Sequence, residues 1–495
     1  MSEKALIIHG HFYQPPRENP WTGEVEREVS AAPYHDWNER IHAECYAPNA
    51  AALVGSHRVN NYEHISFNFG PTLLSWLEKH HPATYQKIIE ADRSSIRARS
   101  GHGNAIAQAY GHAILPLCNE RDRLTQVVWG IADFRHRFGR DPESMWLPET
   151  AVDDATLEVL IEQRLRYVIL APSQADRPVD AGRAYKYLHR DGSGRSIAIF
   201  FYDGPLARTI AFEKALTSSE RLVGLIGAAS VGRSMVNVAT DGETYGHHFK
   251  FGDLCLAHVL TVEAPREVFW ITNYGEFLDR YPPEQEVSIK SGPQEEGTSW
   301  SCEHGLSRWL RHCGCHTGGE SGWNQEWREP LRSALNYLRD RTAEGFDELG
   351  SKLFKDPWEA RNAYIDVLLK RLSPGDFVAQ HVRHQLSPAD EVRAFTLLEM
   401  QRHALLMFTS CGWFFHDISG IETIQVLKYA ARVIELSDQL GLPSHRKEFL
   451  SMLAEARSNV AEKGTGADIY VLHAEPSDPW PTSEGRRSDN SCLPA

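Results

Sequence analysis

The sequence predicts an α/β protein: a parallel sheet closed or nearly closed into a barrel, followed by an all-α helical domain. Three observations carry this expectation. From Ala5 to Val262, strand-like and helix-like segments alternate, the pattern of a parallel sheet with crossover helices. The strand-like segments are short and almost wholly apolar, as in strands covered on both faces. Beyond residue 300 that patterning stops and apolar residues recur at helical spacing. An open doubly wound sheet is the alternative arrangement of the first part.

In chain order, Ala5–Phe12 reads as a buried strand and 42–54 as helical. Residues 62–69 alternate as a strand, and 73–80 follow as a helix. A third strand running into a loop is expected within 96–107. Glu120–Phe138 is a long amphipathic helix, 144–147 a short strand, and 154–165 a helix with Asp153 as its cap. Strands at 167–171, 196–202 and 235–239 alternate with helical stretches at 206–226 and 254–262. His9, His11, His112, Glu149, Asp203 and Asp241 all fall at or just past the C-terminal end of a strand. In barrels of parallel strands the active site is built at that face.

The second part reads as helices at 324–342, 357–372, 388–410, 421–440 and 446–462. Val392, Phe395, Leu398, Leu405 and Phe408 keep one apolar face. The expected organisation is a barrel over residues 1–280, a long loop with a Cys/His cluster over 281–323, a helical domain over 324–475, and a disordered tail over 476–495.

Composition narrows the function. Fifty-two Lys and Arg against 66 Asp and Glu give a net charge of −14, which repels nucleic acid and anionic membranes and favours a neutral or cationic substrate. The apolar start, Ala5–Ile8, is too short for a secretory signal, and no run reaches the roughly 18 apolar residues of a membrane span. Eight mostly scattered cysteines fit a reducing cytoplasm. Thirteen Trp and 17 Tyr serve mainly in the core, but aromatic faces also suit the flat apolar side of a sugar ring.

Several constellations carry chemistry. Trp146-Leu147-Pro148-Glu149 places a carboxylate at a strand end, a rigid position fit for a nucleophile; the plain alternative is an acid near the start of the next helix. Asp241-Gly242-Glu243 puts two carboxylates on one face of an extended chain, where one raises the other's pKa, with Gly242 permitting close approach. His9 and His11 share a strand face ahead of Gln14-Pro15-Pro16. They suit sugar hydroxyls or, with Asp203 or Asp241, a metal ion. Cys302, His304, Cys313 and Cys315, with His312 and His316 alongside, follow C-x-H-x8-C-x-C-H, which is not a familiar zinc-finger spacing. Gly412–His416 is an aromatic run between two helices. No phosphate loop or dinucleotide fingerprint is present.

Taken together, these segments resemble glycoside hydrolase family 57. His9-Gly10-His11-Phe12-Tyr13-Gln14-Pro15 is similar to its first motif, Gly111–Leu117 with His112 to its second, Trp146–Glu149 to its third, Asp241–Gly246 to its fourth and Gly412–His416 to its aromatic fifth. The resemblance implies a (β/α)7 barrel with a following helical domain. It also implies retaining action on α-glucans or oligosaccharides without a cofactor or catalytic metal, as hydrolysis, transfer or branching. Glu149 is then the nucleophile and Asp241 the acid/base. His9, His11, Gln14, His112, Trp146, Asp203, Glu243 and Trp413 are the expected substrate-binding residues. The resemblance is closest to a branch with an added domain of unknown function. Phe12 and Tyr13 separate His11 from Gln14, which the usual motif joins. Two other classes stay open: a metal-dependent deacetylase or α-mannosidase-like enzyme, and a glycan-binding protein without catalysis.

Overall fold

The computed structural model describes residues 4–476; the expected tail lies outside them except for Pro476. The described chain forms two units. The first runs to Pro16 and continues with Glu26–Tyr110 and Phe134–Glu303; the second comprises Arg17–Val25, Gly111–Asp133 and the chain from His304.

In the first unit the strand Lys4–Phe12 is the centre. It pairs in parallel with Met235–Asp241 on one side; on the other it pairs with Phe269–Ile271 along its first half and Ser66–Phe69 along its second. Such a strand has no solvent face, and Ala5, Leu6, Ile7 and Ile8 are at most 2% exposed. From Ser66–Phe69 the path continues through a parallel bridge, Phe67 to Ala105, to Ala107–Gln108, which pairs with Met145–Trp146. A bridge from Ser144 to Tyr167 leads to Tyr167–Leu170, which pairs with Ser196–Phe201. The amide of Asp203 then donates to the carbonyl of Asn237 (2.8 Å), and Asn237 Nδ2 donates to the Phe201 carbonyl (3.2 Å). The pairings thus return to Met235–Asp241, with single bridges or side-chain links at three junctions instead of full ladders.

The crossover helices follow their local signals. Asp153 accepts from the Thr156 amide and opens Asp154–Glu162 as a cap. Glu120–Phe138 is a helix over the expected residues. Three elements depart from the expected pattern. Residues 42–54 do not remain helical: helix ends at Asn49, and Ala52–Val54 turns back on His57–Val59 as a hairpin. A 17-residue helix, Pro82–Ala98, precedes the third strand; its many charged residues hide the apolar stripe of Tyr85, Ile88, Ile89 and Ala91. Ala184–Leu188 adds an antiparallel strand beside Ser196–Phe201.

The second unit is helical. Arg328–Leu353 packs on Pro388–Leu406, which packs on Ile421–Gln439. Phe395, Leu398, Leu405 and Phe408 are buried as their spacing predicts, whereas Val392 is 56% exposed at the start of its helix. Arg361, 1% exposed, donates to Asp122 Oδ1 (2.7 Å), Thr125 Oγ1 (2.8 Å) and Gln401 Oε1 (3.0 Å). No helix among the described residues is long and apolar enough to cross a membrane.

Removing one partner of a buried ion pair strands the other charge. Arg361→Leu is therefore expected to destabilise the helical unit by about 3–5 kcal/mol, read as a lowered midpoint in chemical denaturation. A midpoint within error of the parent protein would contradict the role given to Arg361.

Candidate active site

Strand register assembles the site. His11 lies opposite Asp241 on one neighbour and Asn68 on the other, and Gln108 lies opposite Trp146. These residues stand at or next to the C-terminal ends of five parallel strands, so the fold brings Asp241, His11, Asn68, Gln108 and Trp146 to one edge of the ring.

Buried polar groups there satisfy one another. His9 Nδ1 meets Ser66 Oγ at 3.0 Å and its Nε2 meets Asn68 Oδ1 at 3.1 Å. A carbonyl oxygen can only accept, so His9 carries its proton on Nε2. Asn68 Nδ2 donates to Gln108 Oε1 (2.8 Å) and to His11 Nδ1 (2.9 Å), leaving the His11 proton on Nε2. Both rings stack on Trp146, at 4.9 and 4.8 Å between centroids. Burial pushes both histidines down to about 3, the neighbouring His9 adding to the effect at His11, so both are neutral near pH 7. With both nitrogens of His9 hydrogen-bonded, the ring offers no lone pair to a metal ion. Among the described residues, neither histidine belongs to a cluster of three or more potential metal ligands.

Glu149 follows Trp146 on a tight turn and adopts φ 58°, ψ 22°, a left-handed conformation that costs a non-glycine residue about 1–3 kcal/mol. Neighbours hold it there. The Trp300 amide donates to the Glu149 carbonyl (3.1 Å), and Gln174 bridges the Thr150 hydroxyl (2.9 Å) and carbonyl (2.8 Å). The turn presents the half-buried carboxylate to Trp300 Nε1 (3.2 Å) and to the Ser301 hydroxyl, both donating to Oε2. Trp300 also packs edge-on against Trp146 at 5.1 Å.

Asp241 ends its strand. Loss of hydration among the surrounding protein, then the negative charge of Glu149, push its carboxyl up to about 7. Its side chain still has access to solvent, so the desolvation is partial and a ligand can reach the group. Glu243 is buried at 6% exposure and accepts from Tyr46 Oη (2.6 Å) and the Tyr13 amide (3.0 Å). Burial and the adjacent Asp241 raise it above the usual carboxylate range despite those bonds. At Gly242 an added Cβ would lie 2.3 Å from the Phe12 ring. The close approach is made by this side chain, which stacks on Phe69 at 4.8 Å beneath the carboxylates.

The remaining candidates are placed as follows. Gln14 donates to the Tyr13 carbonyl (3.0 Å) in the first unit. Asp203 caps the helix Gly204–Phe212 and pairs with Arg233 at 2.5 Å, so its carboxylate is engaged in structure. His112 belongs to the second unit and meets Ser410 Oγ at 2.7 Å. Trp413, fully buried in that unit, lies 4.0 Å beneath the Arg332 guanidinium and donates to the Arg328 carbonyl (3.3 Å). Sequence reasoning missed Ser66, Asn68, Gln108, Tyr46, Trp300 and Ser301. A polar residue inside an apolar strand was the one available signal, and Asn68 gives it.

A ring of parallel strands whose C-terminal edge carries carboxylates beside stacked imidazole and indole rings has its polar groups where α/β-barrel enzymes build their active sites. The chain belongs to glycosyl hydrolase family 57, which matches residues 5–290; a domain of unknown function, DUF3536, matches 323–479. The fold is similar to that of an exo-type maltose-forming amylase from Pyrococcus sp. ST04 (TM-score 0.70, 16% identity, 91% of this chain and 82% of that one). It is also similar to a family 57 branching enzyme from Pyrococcus horikoshii (TM-score 0.55, 15% identity, 96% and 97%). In sequence, 107 residues are 30% identical to alpha-amylase 1 of Dictyoglomus thermophilum, spanning 21% of this chain and 15% of that relative.

Two measurements probe the electrostatics. Glu149→Gln removes the negative neighbour, so the Asp241 pKa is expected to fall below about 7 when followed by NMR titration of the carboxyl carbon; an unmoved value would disprove the coupling. Glu243 has a raised pKa in the folded state. The native protein therefore binds more protons than the unfolded chain above the unfolded carboxylate pKa, and stability falls as pH rises. Glu243→Gln is expected to raise Tm at pH 8 more than at pH 5; an equal change at both would refute this assignment.

Proposed function

We propose that this chain is a retaining α-glucan-active glycoside hydrolase or glucanotransferase, with Glu149 as nucleophile and Asp241 as acid/base. The observation carrying the proposal is the pair of carboxylates at strand ends, with Asp241 held near 7 first by burial and then by the negative charge of Glu149. An acid of that pKa is about half protonated at neutrality and can both give and take a proton. Family membership and the named amylase and branching-enzyme folds support the substrate class.

In the first step Asp241 protonates the glycosidic oxygen as Glu149 attacks the anomeric carbon. The bond to the leaving sugar breaks and a glycosyl ester forms on Glu149. The donors from Trp300 and Ser301 on Oε2 hold the attacking carboxylate in one orientation. Asp241, now ionised, takes a proton from water or an acceptor hydroxyl, which displaces the ester with net retention. His11 presents Nε2–H as a neutral donor. Gln108 Nε2 and Trp146 Nε1 are buried without hydrogen-bond partners, and an unmet buried donor costs about 1–3 kcal/mol; a hydroxyl-rich ligand or water at this edge removes that cost. Gln14 and Glu243 complete the proposed polar lining. The choice between water and sugar as acceptor sets hydrolysis against transfer or branching. A cytoplasmic location is the setting that the scattered cysteines favour.

Incubation with amylose and maltooligosaccharides tests the activity, and proton NMR of the first-formed anomer tests its stereochemistry. Glu149→Gln is expected to abolish turnover, and Asp241→Asn to lower it by about 10²–10⁴-fold, with unchanged circular dichroism. Parent-like rates in the Glu149 variant would sink the assignment. Binding of maltooligosaccharide without product from the parent protein would mark a glycan-binding protein instead.

A further inference from the structure

The densest group of thiols in the sequence takes no part in the proposed chemistry. In the second unit the ligand atoms of His304, Cys313 and Cys315 all lie within 4.8 Å of one another. Cys302 stands two residues before His304, joined to it by Glu303 alone. We propose that Cys302, His304, Cys313 and Cys315 bind a structural, four-coordinate divalent metal ion of zinc type.

Geometry, backbone and charge each support this. A tetrahedral zinc ion with bonds of about 2.3 Å to sulfur and 2.0–2.1 Å to nitrogen needs donors about 3.5 Å apart; Cys315 Sγ and His304 Nδ1 are 3.5 Å apart. Gly314, at φ 79°, takes the left-handed conformation between the two cysteines, a reversal that lets both thiols face one point. Arg328 is fully buried and donates to the Cys315 carbonyl (2.8 Å), with Cys313 Sγ 3.9 Å from the same Nη1. Three thiolates and a neutral imidazole around a divalent ion leave one net negative charge, which one buried guanidinium balances. None of the three cysteines is in a disulfide.

The segment around the cluster, from Ser301 to Trp327, has no regular structure beyond one short turn of helix, Ser307–Trp309, and gains the most from a metal cross-link. It begins at Ser301, the hydroxyl donor to Glu149. The metal would cross-link this segment without taking part in the reaction. This inference does not depend on the catalytic reading.

The test is metal analysis of the full-length protein, expressed in zinc-supplemented medium and purified by gel filtration without chelator. About one zinc per chain is expected. Cobalt substitution should give the intense visible absorption of a tetrahedral thiolate site, and a strong chelator should lower Tm. Cys313→Ser and His304→Gln should each reduce the bound zinc. If a variant does not fold, the zinc content and cobalt spectrum of the parent protein still decide the matter. Zinc far below one equivalent with Tm insensitive to chelator would overturn the proposal, as would a disulfide among these cysteines found by mass spectrometry.

Discussion

The chemistry depends on the parallel register of Lys4–Phe12 between Met235–Asp241 and Ser66–Phe69. That register sets His11 beside Asp241 on one side and Asn68 on the other. A parallel strand slipped by one residue turns every side chain to the opposite face. His9 and His11 would then leave Trp146, and the residue opposite Asp241 would be apolar. The register is strongly specified because the strand is buried along nearly its whole length. A slip would also lift Phe12 off the glycine that accommodates it at residue 242.

On that frame the polar network acts as one object. Asn68 links both histidines and Gln108, so four side chains from three strands share one set of proton positions. A neutral, fully oriented network costs little to bury, whereas a protonated histidine there would face desolvation. The two imidazoles therefore serve as fixed dipoles near pH 7. The titratable work falls to the carboxylates, whose environments differ: Glu149 is held by two donors, Asp241 is open to solvent yet pushed upward, and Glu243 is buried under a tyrosine.

The strand ends at Glu149 and Asp241 were legible in the sequence, because an apolar run that stops at a carboxylate is a local pattern. The succession of most strands and helices was legible for a similar reason, with buried strands and amphipathic helices alternating over long stretches, whereas Ala184–Leu188 and Phe269–Ile271 were not foreseen. Asn68, Gln108 and Ser66 were not. Their importance comes from pairing between strands 40 to 59 residues apart, and no local property of an asparagine reveals its cross-strand neighbour. Trp300 and Ser301 were hidden differently. They lie at the end of a segment whose Pro, Gly and Glu content reads as plain loop, and only the backbone bond to Glu149 brings them to the carboxylate. The helix Pro82–Ala98 was obscured by its solvent face, where Lys87, Glu90, Arg93 and Arg97 interrupt the apolar residues that anchor it.

These pieces share a pattern of local cost and distributed support. Glu149 sits in a strained conformation, Asp241 and Glu243 resist ionisation, and two donors near them lack partners. Each is unfavourable for folding alone, and each would be relieved by a polar ligand or by a change that also removes the proposed chemistry. What holds them is outside the reacting groups: the Gln174 brace under the turn at Glu149, the aromatic floor of Phe12, Tyr46, Tyr62 and Phe69, and the buried central strand. Strengthening those supports should stabilise the protein without loss of function, whereas relaxing the turn at Glu149 or neutralising a carboxylate should exchange function for stability. Where a change falls in this division is a better guide to its effect than its distance from the carboxylates. Gln174 shows why, since it touches neither Asp241 nor Glu243 in any described hydrogen bond yet fixes the backbone that aims Glu149.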